Sequence, residues 1–407
     1  MVDKKLFLHD LAIVAIMKNE GHYLKEWLDY HLLAGVDHFY IYDNESPDNQ
    51  AEVAKPYVAA GLVDYFFLPG KAMQYIAYND AVKRFKFQCR YMAFIDGDEF
   101  IYPKRLTGGG ITNIVDEILS NNPNAAGLAI NWQIFGSNGQ EKADYSRGVL
   151  ERFTRCAVKD FKANAHVKTI ANPRKVNFLL NCHYPIYFED NYSVNEHEGF
   201  VHTAFNRPVT DDKIVINHYH CKSLEEYRLK NIRGEADRIQ IDKCNDKYSD
   251  ALFADHDRNE VFDDGILRYR AARADKFSLE DDLQRRNRLT DAVIKILSAY
   301  ADDKIFDLET ALTCRAASNY LREKIYEEAS LAAILKSLNG LKFSDTRLLI
   351  RELPNLLTLP YPVVNELRNS CLQIIPQMMN VMHLNNMWKD YVELDYLQRF
   401  LQTWQPK

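Results

Sequence analysis

The chain has 407 residues, of which 47% are hydrophobic and 27% charged, the composition of an ordinary globular protein with room for two domains. Its formal net charge of -6 gives no reason to expect a nucleic-acid partner. The apolar runs are too short to cross a bilayer, the amino terminus lacks the apolar core of a signal peptide, and the seven cysteines include no CxxC pair. We therefore expect a cytoplasmic chain with reduced thiols, either free or held loosely at a membrane surface.

Strands and helices alternate from the amino terminus, as the spacing of apolar residues indicates. A helix is predicted after Asn19 and Glu20, and Ser46 before Pro47 is typical of a helix N-cap with proline at the first helical position. This βαβαβ alternation predicts a parallel sheet with helices on both faces. The predicted elements are strands at 11–17, 38–42, 62–68, 91–103 and 127–135 and helices at 73–85 and 114–119.

Polar residues follow several of the predicted strands and are expected to meet at one edge of the sheet, where ligands bind in such folds. Asn19 and Glu20 follow the first strand, and Asp43 follows the second. Asp96 and Asp98 interrupt the segment 91–103, and because alternate residues of a strand face the same side, the two carboxylates form a cradle for a hard divalent cation. The absence of GxGxxG and Walker lysine motifs argues against a dinucleotide enzyme or a P-loop NTPase.

Four motifs follow one another along the first part of the chain: IVAIMKNEGHYLKEWLDYHLLAGVDHFYIYDNESPDN, AFIDGDEFIYP, NWQIFGSNG and INHYHCKSLEEYRLKNIRGEAD. Through these motifs, the chain resembles the GT-A glycosyltransferases of the family 2 and family 92 type over roughly residues 9 to 240. Their order is the one expected, which makes the resemblance specific. The resemblance implies a mixed α/β sheet of the GT-A, Rossmann-like type, a nucleotide-sugar donor and a divalent cation, Mn²⁺ or Mg²⁺.

The resemblance also implies a cation site and a sugar site. The metal ligands that it implies are Asp96, Asp98 and His218, with His220 as the neighbour of His218 on the same face, and the chemistry fits because Mn²⁺ accepts carboxylate and imidazole ligands. An aromatic ring in WQIFGSNG suits stacking on a sugar. The residues implied for the acceptor or sugar are Trp132, Phe135 and Gly136.

The donor is expected to meet residues from several segments. Ser223 and Glu226 predict a capping box that opens a helix carrying Arg228, Lys230 and Arg233, whose cations would close over the diphosphate. The residues implied for the donor are Asn19, Glu20, Asp43, Gln74, Asn79, Asp96, Lys168, Lys230 and Arg233.

An inverting transfer needs a group that takes the proton of the acceptor hydroxyl. Glu99, next to the carboxylate pair, and His183 are the candidate catalytic residues, and Glu196 or Glu198 remain alternatives. Simpler structural roles also stay open at several positions. Asp43 and Ser46 are equally suited to capping a helix, Trp132 and Phe135 to the core, His218 to a hydrogen-bonded core position, and the basic residues of 228–233 to a solvated helix face.

The character of the sequence changes after about residue 245. The polar, acidic stretch at 245–265 is typical of a linker or loop, and helical periodicity dominates beyond it. We therefore predict a GT-A domain at 1–245 and a helical carboxyl-terminal region at 246–407, which the resemblance does not cover. The predicted helices are 283–300, 308–321, 325–338 and 388–404, the last with an apolar stripe at Leu394, Leu397, Leu401 and Trp404.

Together these features predict a metal-dependent, inverting glycosyltransferase with a DxD motif. It would move a sugar from a UDP-sugar to a glycan or lipid-linked acceptor in surface polysaccharide assembly. Two other functions are left open: a nucleotidyltransferase on the same sheet, and a non-catalytic protein that binds a nucleotide sugar or glycan. Peripheral membrane association and a homo-oligomer also remain open.

Overall fold

The computed structural model describes residues 7, 9–86, 88–105, 110–233, 250–273, 361–384 and 387–403. The chain divides into two compact units. One consists of His9–Val82 and Cys89–Gln284, and the other of Met1–Leu8, Lys83–Gln88 and Arg285–Lys407. No helix in the described part of the chain combines the length and apolar character needed to span a bilayer.

The first unit is built on strands of very unequal length, the longest of which lie at its centre. In chain order the strands are β1 (His9–Met17), β2 (His38–Asp43), β3 (Val63–Phe67), β4 (Cys89–Phe94), β5 (Glu99–Pro103), β6 (Ala125–Ile134), β7 (Arg155–Cys156), β8 (Val167–Ala171), β9 (Val176–Phe178), β10 (Ile186–Tyr187), β11 (Tyr192–Val194), β12 (Phe200–Val201), β13 (Ile214–His218) and β14 (Val261–Phe262).

Helices connect most of the long strands. The described helices before residue 274 are α1 (Gly21–Leu33), α2 (Gln50–Ala59), α3 (Gln74–Phe85), α4 (Ile111–Leu119), α5 (Val149–Arg152), α6 (Leu224–Arg233), α7 (Asp250–His256) and α8 (Gly265–Arg273).

Ten of the strands form one mixed sheet, which confirms the predicted α/β class. The order β3-β2-β1-β4 is parallel throughout, as the βαβ alternation predicts. The next strand, β8, runs antiparallel to both β4 and β6, and β6 is parallel to β11 and β13. The sheet is therefore mixed, as the resemblance implies, and the parallel order expected from the βαβ alternation extends as far as β4.

The segment 91–103, predicted as one strand, is two strands separated by a turn. β4 ends at Phe94 and β5 begins at Glu99, where it leaves β4 and pairs antiparallel with β13. The turn between them holds Asp96, Gly97 and Asp98, so strand alternation does not determine where the two carboxylates point. Each carboxylate instead has its own set of partners.

The helix α1 is fastened to β5 by buried side chains. The Trp27 indole nitrogen donates to the Glu99 carbonyl at 2.8 Å, and the Tyr30 hydroxyl donates to the Ile101 carbonyl at 2.9 Å. The His31 ring accepts from the Ile101 backbone nitrogen at 3.2 Å, and burial lowers the pKa of this imidazole to about 3, so it is neutral. These contacts fix the start of β5, and with it one end of the carboxylate turn.

The predicted N-cap at Ser46 is wrong, because α2 begins at Gln50 rather than at Pro47. The loop before α2 serves a different helix. Its side chains accept three consecutive backbone N–H groups where β1 turns into α1. The pairs are Asn19 to Ser46 Oγ at 3.0 Å, Glu20 to Gln50 Oε1 at 3.0 Å and Gly21 to Asp48 Oδ2 at 2.8 Å.

Within the stretch predicted as a linker or loop at 245–265, the described residues 250–265 include the helix α7 and the strand β14, and 250–273 belong to the first unit. Its polar residues bind backbone. Asp257 Oδ1 accepts from the Ser137 nitrogen at 2.6 Å, and Asn259 Oδ1 accepts from the Asn138 nitrogen at 2.8 Å. The polar residues of this stretch therefore hold the loop at 137–138 in place through hydrogen bonds.

In the second unit, two described helices pack against each other: α9 (Tyr361–Leu384) and α10 (Trp388–Thr403). The predicted helix at 388–404 is confirmed, and two members of its predicted stripe, Leu394 and Leu401, are buried. The side chains of the other two stripe members and the predicted helices at 283–300, 308–321 and 325–338 lie outside the described residues.

Candidate active site

The carboxylate turn between β4 and β5 lies beside the carboxyl ends of β1, β6 and β13. The pairing of β13 sets His218 opposite Glu99 on one side and opposite Ile134 on the other. A backbone hydrogen bond of 2.9 Å from the Tyr219 nitrogen to the Asp98 carbonyl holds the turn against the end of β13. The ends of these three parallel strands therefore meet at the carboxylate turn, and the antiparallel β5 starts from it.

Asp96 binds a buried lysine and the amino-terminal turn of α3. The Lys168 ammonium lies 2.8 Å from Asp96 Oδ2, and the Gln74 amide donates to Asp96 Oδ1 at 2.8 Å. The Tyr78 hydroxyl donates to the same oxygen at 3.3 Å. Burial alone would raise the pKa of Asp96, but the Lys168 ammonium outweighs it and lowers the pKa, so the carboxylate is ionised.

Asp98 lies in a second group, formed by the end of β13 and by α6. Its Oδ2 accepts a hydrogen bond from the Lys230 ammonium, and its Oδ1 lies 3.6 Å from His218 Nε2. One ligand atom each from Asp98, His218 and His220 fall within 4.8 Å of one another, and all three residues are buried. Burial would raise the pKa of Asp98, yet Lys230 and His218 hold it well below its usual range.

The two imidazoles of this group are held in the neutral form. Burial lowers the pKa of His218 against the opposing pull of Asp98. Burial also lowers the pKa of His220, to which the Lys230 ammonium adds. Neutral imidazole is the form that binds metal ions. Asp98, His218 and His220 thus form a set of ligands suited to a hard to borderline divalent cation, although Lys230 occupies Asp98 just as Lys168 occupies Asp96.

Glu99 is the most deeply buried carboxyl of the cluster, with no exposed surface. Its Oε2 accepts the Asp96 backbone N–H at 2.9 Å and lies 3.6 Å from the Lys168 ammonium. Its Oε1 has no hydrogen-bond partner among the residues that the structure describes, and it lies 4.0 Å from His218 Nδ1. Burial raises the pKa of Glu99 well above its usual range despite Lys168, so Glu99 is the carboxyl of the turn that protonates first.

Trp132 lies at the centre of a group of histidines. Its ring is stacked on His166 with centroids 4.8 Å apart, and it contacts His183 at 5.2 Å and His218 at 4.3 Å in edge-on geometry. The Trp132 side chain is half-buried and its indole N–H has no hydrogen-bond partner. An aromatic ring beside the cation ligands with an unused donor is suited to contact a polar ligand.

His183, a predicted catalytic residue, lies at the edge of the same group. Its Nδ1 is 2.9 Å from the Val167 carbonyl, which fixes the ring orientation. Burial and, secondarily, the Lys168 ammonium lower the pKa of His183 to about 3. The imidazole is therefore neutral at physiological pH.

The predicted residues of the β1 and β2 ends lie near the turn but are tied into the loop before α2. Glu20 is buried beside Gly97, and Lys222 Nζ lies 3.8 Å from its Oε2. Asp43 Oδ1 accepts from the Ser46 nitrogen at 3.0 Å and from the Gln50 amide at 3.4 Å. Asp43 therefore organises its own loop, and a contact of Asp43 with the donor stays a prediction.

Three residues predicted to bind the sugar or the donor are engaged in packing or in hydrogen bonds with backbone. Phe135 is fully buried against Tyr219, so its ring is not available to a sugar. A Cβ at Gly136 would lie 2.4 Å from the Arg258 carbonyl, so this glycine is required for packing. Asn79 uses both ends of its amide on the Leu179 backbone, at 2.8 and 2.9 Å.

The remaining predictions have mixed outcomes. Glu196 accepts three backbone N–H groups of 212–214, so it is a structural cap and not a mobile base. The capping box of Ser223 and Glu226 is confirmed, with both reciprocal hydrogen bonds formed. Arg228 binds the exposed Asp250, and the Arg233 side chain lies outside the described residues.

Tyr78 and Lys222 join the site without having been predicted. Tyr78 lies one helical turn after Gln74, so both can reach the same carboxylate, and this i, i+4 spacing is visible in the sequence. Lys222 lies in a tight bend at a positive φ of 51°, which nothing in the local sequence indicates.

A model of the family described as Glycosyltransferase family 92 matches residues 14–243. A glycosyltransferase family 92 protein of Ricinus communis is 27% identical over 231 residues, which are 56% of this chain and 38% of the relative. One of Oryza sativa subsp. japonica is 26% identical over 177 residues, 43% of this chain and 30% of the relative. One of Arabidopsis thaliana is 24% identical over 234 residues, 56% and 38% respectively. The chain thus spans less than two fifths of the length of these relatives.

Solved structures of S. aureus TarS are also similar to this chain. The crystal structure of TarS 1-349 in complex with UDP-GlcNAc has a TM-score of 0.32 and 12% identity, and the match covers 87% of this chain and 88% of that chain. The complex of TarS 1-349 with UDP has a TM-score of 0.31 and 14% identity, with 78% and 93% covered.

Proposed function

This chain belongs to glycosyltransferase family 92, and on that premise we propose that it transfers a sugar from a UDP-sugar to a hydroxyl group of a glycan or lipid-linked acceptor. The observation that carries the proposal is the carboxylate turn, in which each aspartate has a lysine partner and a different set of neighbours. Such a site can bind a diphosphate and a cation together, because it offers carboxylates to the cation and ammonium groups to the phosphates.

A divalent cation, Mn²⁺ or Mg²⁺, would be held by Asp98, His218 and His220. The fit rests on three buried ligand atoms close to one another and on two imidazoles that burial keeps neutral. When bound there, the cation would neutralise negative charge on the nucleoside-diphosphate leaving group. A mixed set of carboxylate and imidazole favours Mn²⁺ over Mg²⁺, which prefers oxygen ligands alone.

Two lysines would serve the donor. Lys168, fully buried, fixes the Asp96 carboxylate, which would accept a hydrogen bond from a hydroxyl of the donor. Lys230 lies on α6, and its ammonium would be free to bind a phosphate of the donor once a cation takes its place on Asp98. Gln74, which also binds Asp96, would complete this side of the donor pocket.

The group that accepts the acceptor proton is assigned to His183. Of the two candidate residues, Glu99 has no exposed surface and binds the Asp96 backbone, so it positions the turn. The half-buried His183 adjoins Trp132, where the sugar is proposed to stack, and its position is what supports the assignment. Burial lowers its pKa to about 3, so the bound ligands would have to raise this pKa for the ring to hold the proton. Inversion at the anomeric carbon and a place in surface polysaccharide assembly rest on the family resemblance.

Titration calorimetry with a panel of UDP-sugars, with and without Mn²⁺, tests the proposal. We expect one UDP-sugar to bind in a Mn²⁺-dependent way, and Asp98→Asn to abolish that binding while the fold is retained. Asp211→Asn is the matched control, since Asp211 also lies between two lysines but outside the cluster. Absence of Mn²⁺-dependent binding of every UDP-sugar contradicts the proposal. Binding without hydrolysis or transfer favours a sugar-binding protein instead.

A further inference from the structure

A cleft of about 700 Å³ runs along the outer face of α1, next to the segment 145–152 and to Arg270 of α8. It is separate from the cation ligands and from the residues proposed for the donor. Its volume is within the range of about 300–1,000 Å³ typical of small-molecule sites. The residues that line it include aromatic rings at the amino end of α1 and charged groups further along.

The aromatic part of the cleft is a stacked pair. The rings of His22 and Tyr145 lie parallel with centroids 4.0 Å apart and an interplanar angle of 13°, and Tyr23 lies 6.1 Å from Tyr145. Tyr145 is 45% exposed, so a large part of this ring is open to solvent. A sugar ring presents a flat face of C–H groups, and a supported aromatic face is the surface on which such a face packs.

The charged part of the cleft is close to balance. Four basic residues and three acidic residues line it, and most are already paired with one another or with nearby carboxylates. Arg270 binds both Glu26 at 3.2 Å and Glu151 at 2.6 Å, and Arg147 binds Asp144 at 3.2 Å. Neutralised cations do not select a polyanion, whereas fixed, alternating donors and acceptors suit the hydroxyl groups of a neutral sugar. The seven residues are Lys25, Arg147, Arg152, Arg270, Glu26, Asp29 and Glu151.

The cleft begins close to the carboxylate turn. The Lys222 ammonium lies 4.0 Å from the centre of the Tyr23 ring, which lines the cleft, and 3.8 Å from Glu20 Oε2. Glu20 in turn packs against the turn, since a Cβ on Gly97 would lie 3.4 Å from its Cγ. Glu20 and Lys222 therefore connect the aromatic end of the cleft with the turn.

We propose that this cleft binds the neutral saccharide part of the acceptor, with one sugar ring packed on Tyr145 and its hydroxyl groups bound by the paired charged residues. The assignment rests on the proposed function, because an acceptor site has meaning only beside a donor site. The aromatic end would hold the sugar nearest the transfer, and the length of α1 would hold the sugars behind it.

The test begins with an array of neutral and anionic oligosaccharides probed with the full chain. The neutral oligosaccharide with the highest signal is then titrated by calorimetry against the wild type, Tyr145→Ala and Phe200→Ala. Phe200 is the matched control, since it is an exposed aromatic ring stacked on a histidine, His202, at 5.1 Å but outside the cleft. We expect Tyr145→Ala to weaken oligosaccharide binding at least tenfold, and Phe200→Ala to leave it unchanged.

Donor binding separates this inference from the proposed function. UDP-sugar affinity should be the same in Tyr145→Ala and the wild type, and equal circular dichroism spectra would show that the variant is folded. Arg147→Gln, which changes an exposed residue of the same cleft, should also weaken oligosaccharide binding. The inference is overturned if no neutral oligosaccharide binds, if only anionic ones bind, or if both cleft variants bind as the wild type does. If the wild type binds no UDP-sugar, it is the proposed function that is contradicted instead.

Discussion

Lys168 is buried with a carboxylate on either side, and the stability of the fold should depend on it. Its ammonium lies 2.8 Å from Asp96 and 3.6 Å from Glu99. In Lys168→Met the two carboxyl groups lose their counter-ion, and we expect the free energy of unfolding to fall by about 3–5 kcal/mol. Urea denaturation measures the change. Lys162→Met removes an exposed pair with Asp255 and should cost less than about 1 kcal/mol. Equal losses in the two variants contradict the argument.

Lys230 and a divalent cation would compete for the same carboxylate. Because the Lys230 ammonium already binds Asp98, a cation entering without donor must displace it. We expect Lys230→Met to bind Mn²⁺ about tenfold more tightly than the wild type when no nucleotide is present, a gain of about 1.4 kcal/mol. Calorimetric titration with Mn²⁺ alone measures this. Arg228→Met, on the same helix but paired with the exposed Asp250, should bind as the wild type does. Unchanged or weaker affinity in Lys230→Met argues against a cation site at Asp98.

At the level of single residues, the sequence indicated which residues come together in the site better than it indicated what each of them contacts. The carboxylates, Lys168, Gln74 and Lys230 are all brought together as expected. Strand alternation does not carry the choice of Asp96 as a metal ligand, because Asp96 and Asp98 lie in a turn. That choice stays a prediction. The burial of Phe135, one of the two roles that the sequence leaves open, depends on Tyr219 from a distant segment, which local pattern does not indicate.

One face of the helix α6 carries both Glu226, which anchors the helix to its surroundings, and Lys230, which binds Asp98. The stability of this helix therefore affects the site. Glu226 binds Arg152 through two hydrogen bonds of 2.7 and 2.9 Å, and it also accepts from Tyr23 at 2.7 Å. Lys230 follows Glu226 by four residues, so it projects from the same side of the helix. The position of the ammonium on Asp98 therefore depends on the buried pair one turn earlier.

The buried pair of Glu226 and Arg152 that anchors α6 should make the free energy of unfolding fall at acid pH. Burial would raise the pKa of Glu226, but Arg152, Ser223 and Tyr23 lower it to about 2 from 4.5. A lowered folded-state pKa gives stability that is present above pH 4.5 and lost as the pH falls toward 2, on the order of 3 kcal/mol. We expect Glu226→Gln to be less stable at neutral pH and to lose less on acidification.

The measurement is urea denaturation of the wild type and Glu226→Gln between pH 2.5 and pH 7 (about the range set by the two pKa values). Glu225→Gln is the control, since this half-exposed neighbour accepts only the Ala143 backbone N–H in addition to its surface pairing with Lys142. An identical fall in stability with pH in wild type and Glu226→Gln contradicts the role of the buried pair.

At the level of elements, the parallel strands and the helices of the first half follow from local pattern alone. The loop 46–50 shows where this fails. Ser46-Pro47 has the signature of an N-cap, yet its hydroxyl accepts the Asn19 N–H of another helix start, because that turn takes a positive φ of 56° and leaves donors to be satisfied. The antiparallel β8 was missed since its pairing joins residues distant in sequence.

At the scale of the whole molecule, the sheet unit extends past the family match, which ends at residue 243. Tyr269 of α8 is fully buried and contacts Tyr30 and Tyr102. We expect Tyr269→Ala to lower the free energy of unfolding by about 3 kcal/mol or more, because the cavity would lie within the main core. Urea denaturation followed by tryptophan fluorescence measures the loss, and Phe262→Ala, which truncates an exposed ring in the same segment, should change little. A small effect of Tyr269→Ala would place α8 outside the stable unit.

The pairing of two aspartates with two lysines leaves the turn without net charge while Glu99 is protonated. A nucleotide sugar entering by itself would upset this balance, and so would a divalent cation entering by itself, but the two entering as a complex nearly preserve it. We therefore expect synergistic entry, in which each ligand raises the affinity of the other by the same factor. The affinity of the preformed complex should then vary little with ionic strength, unlike that of a site built from unpaired charges.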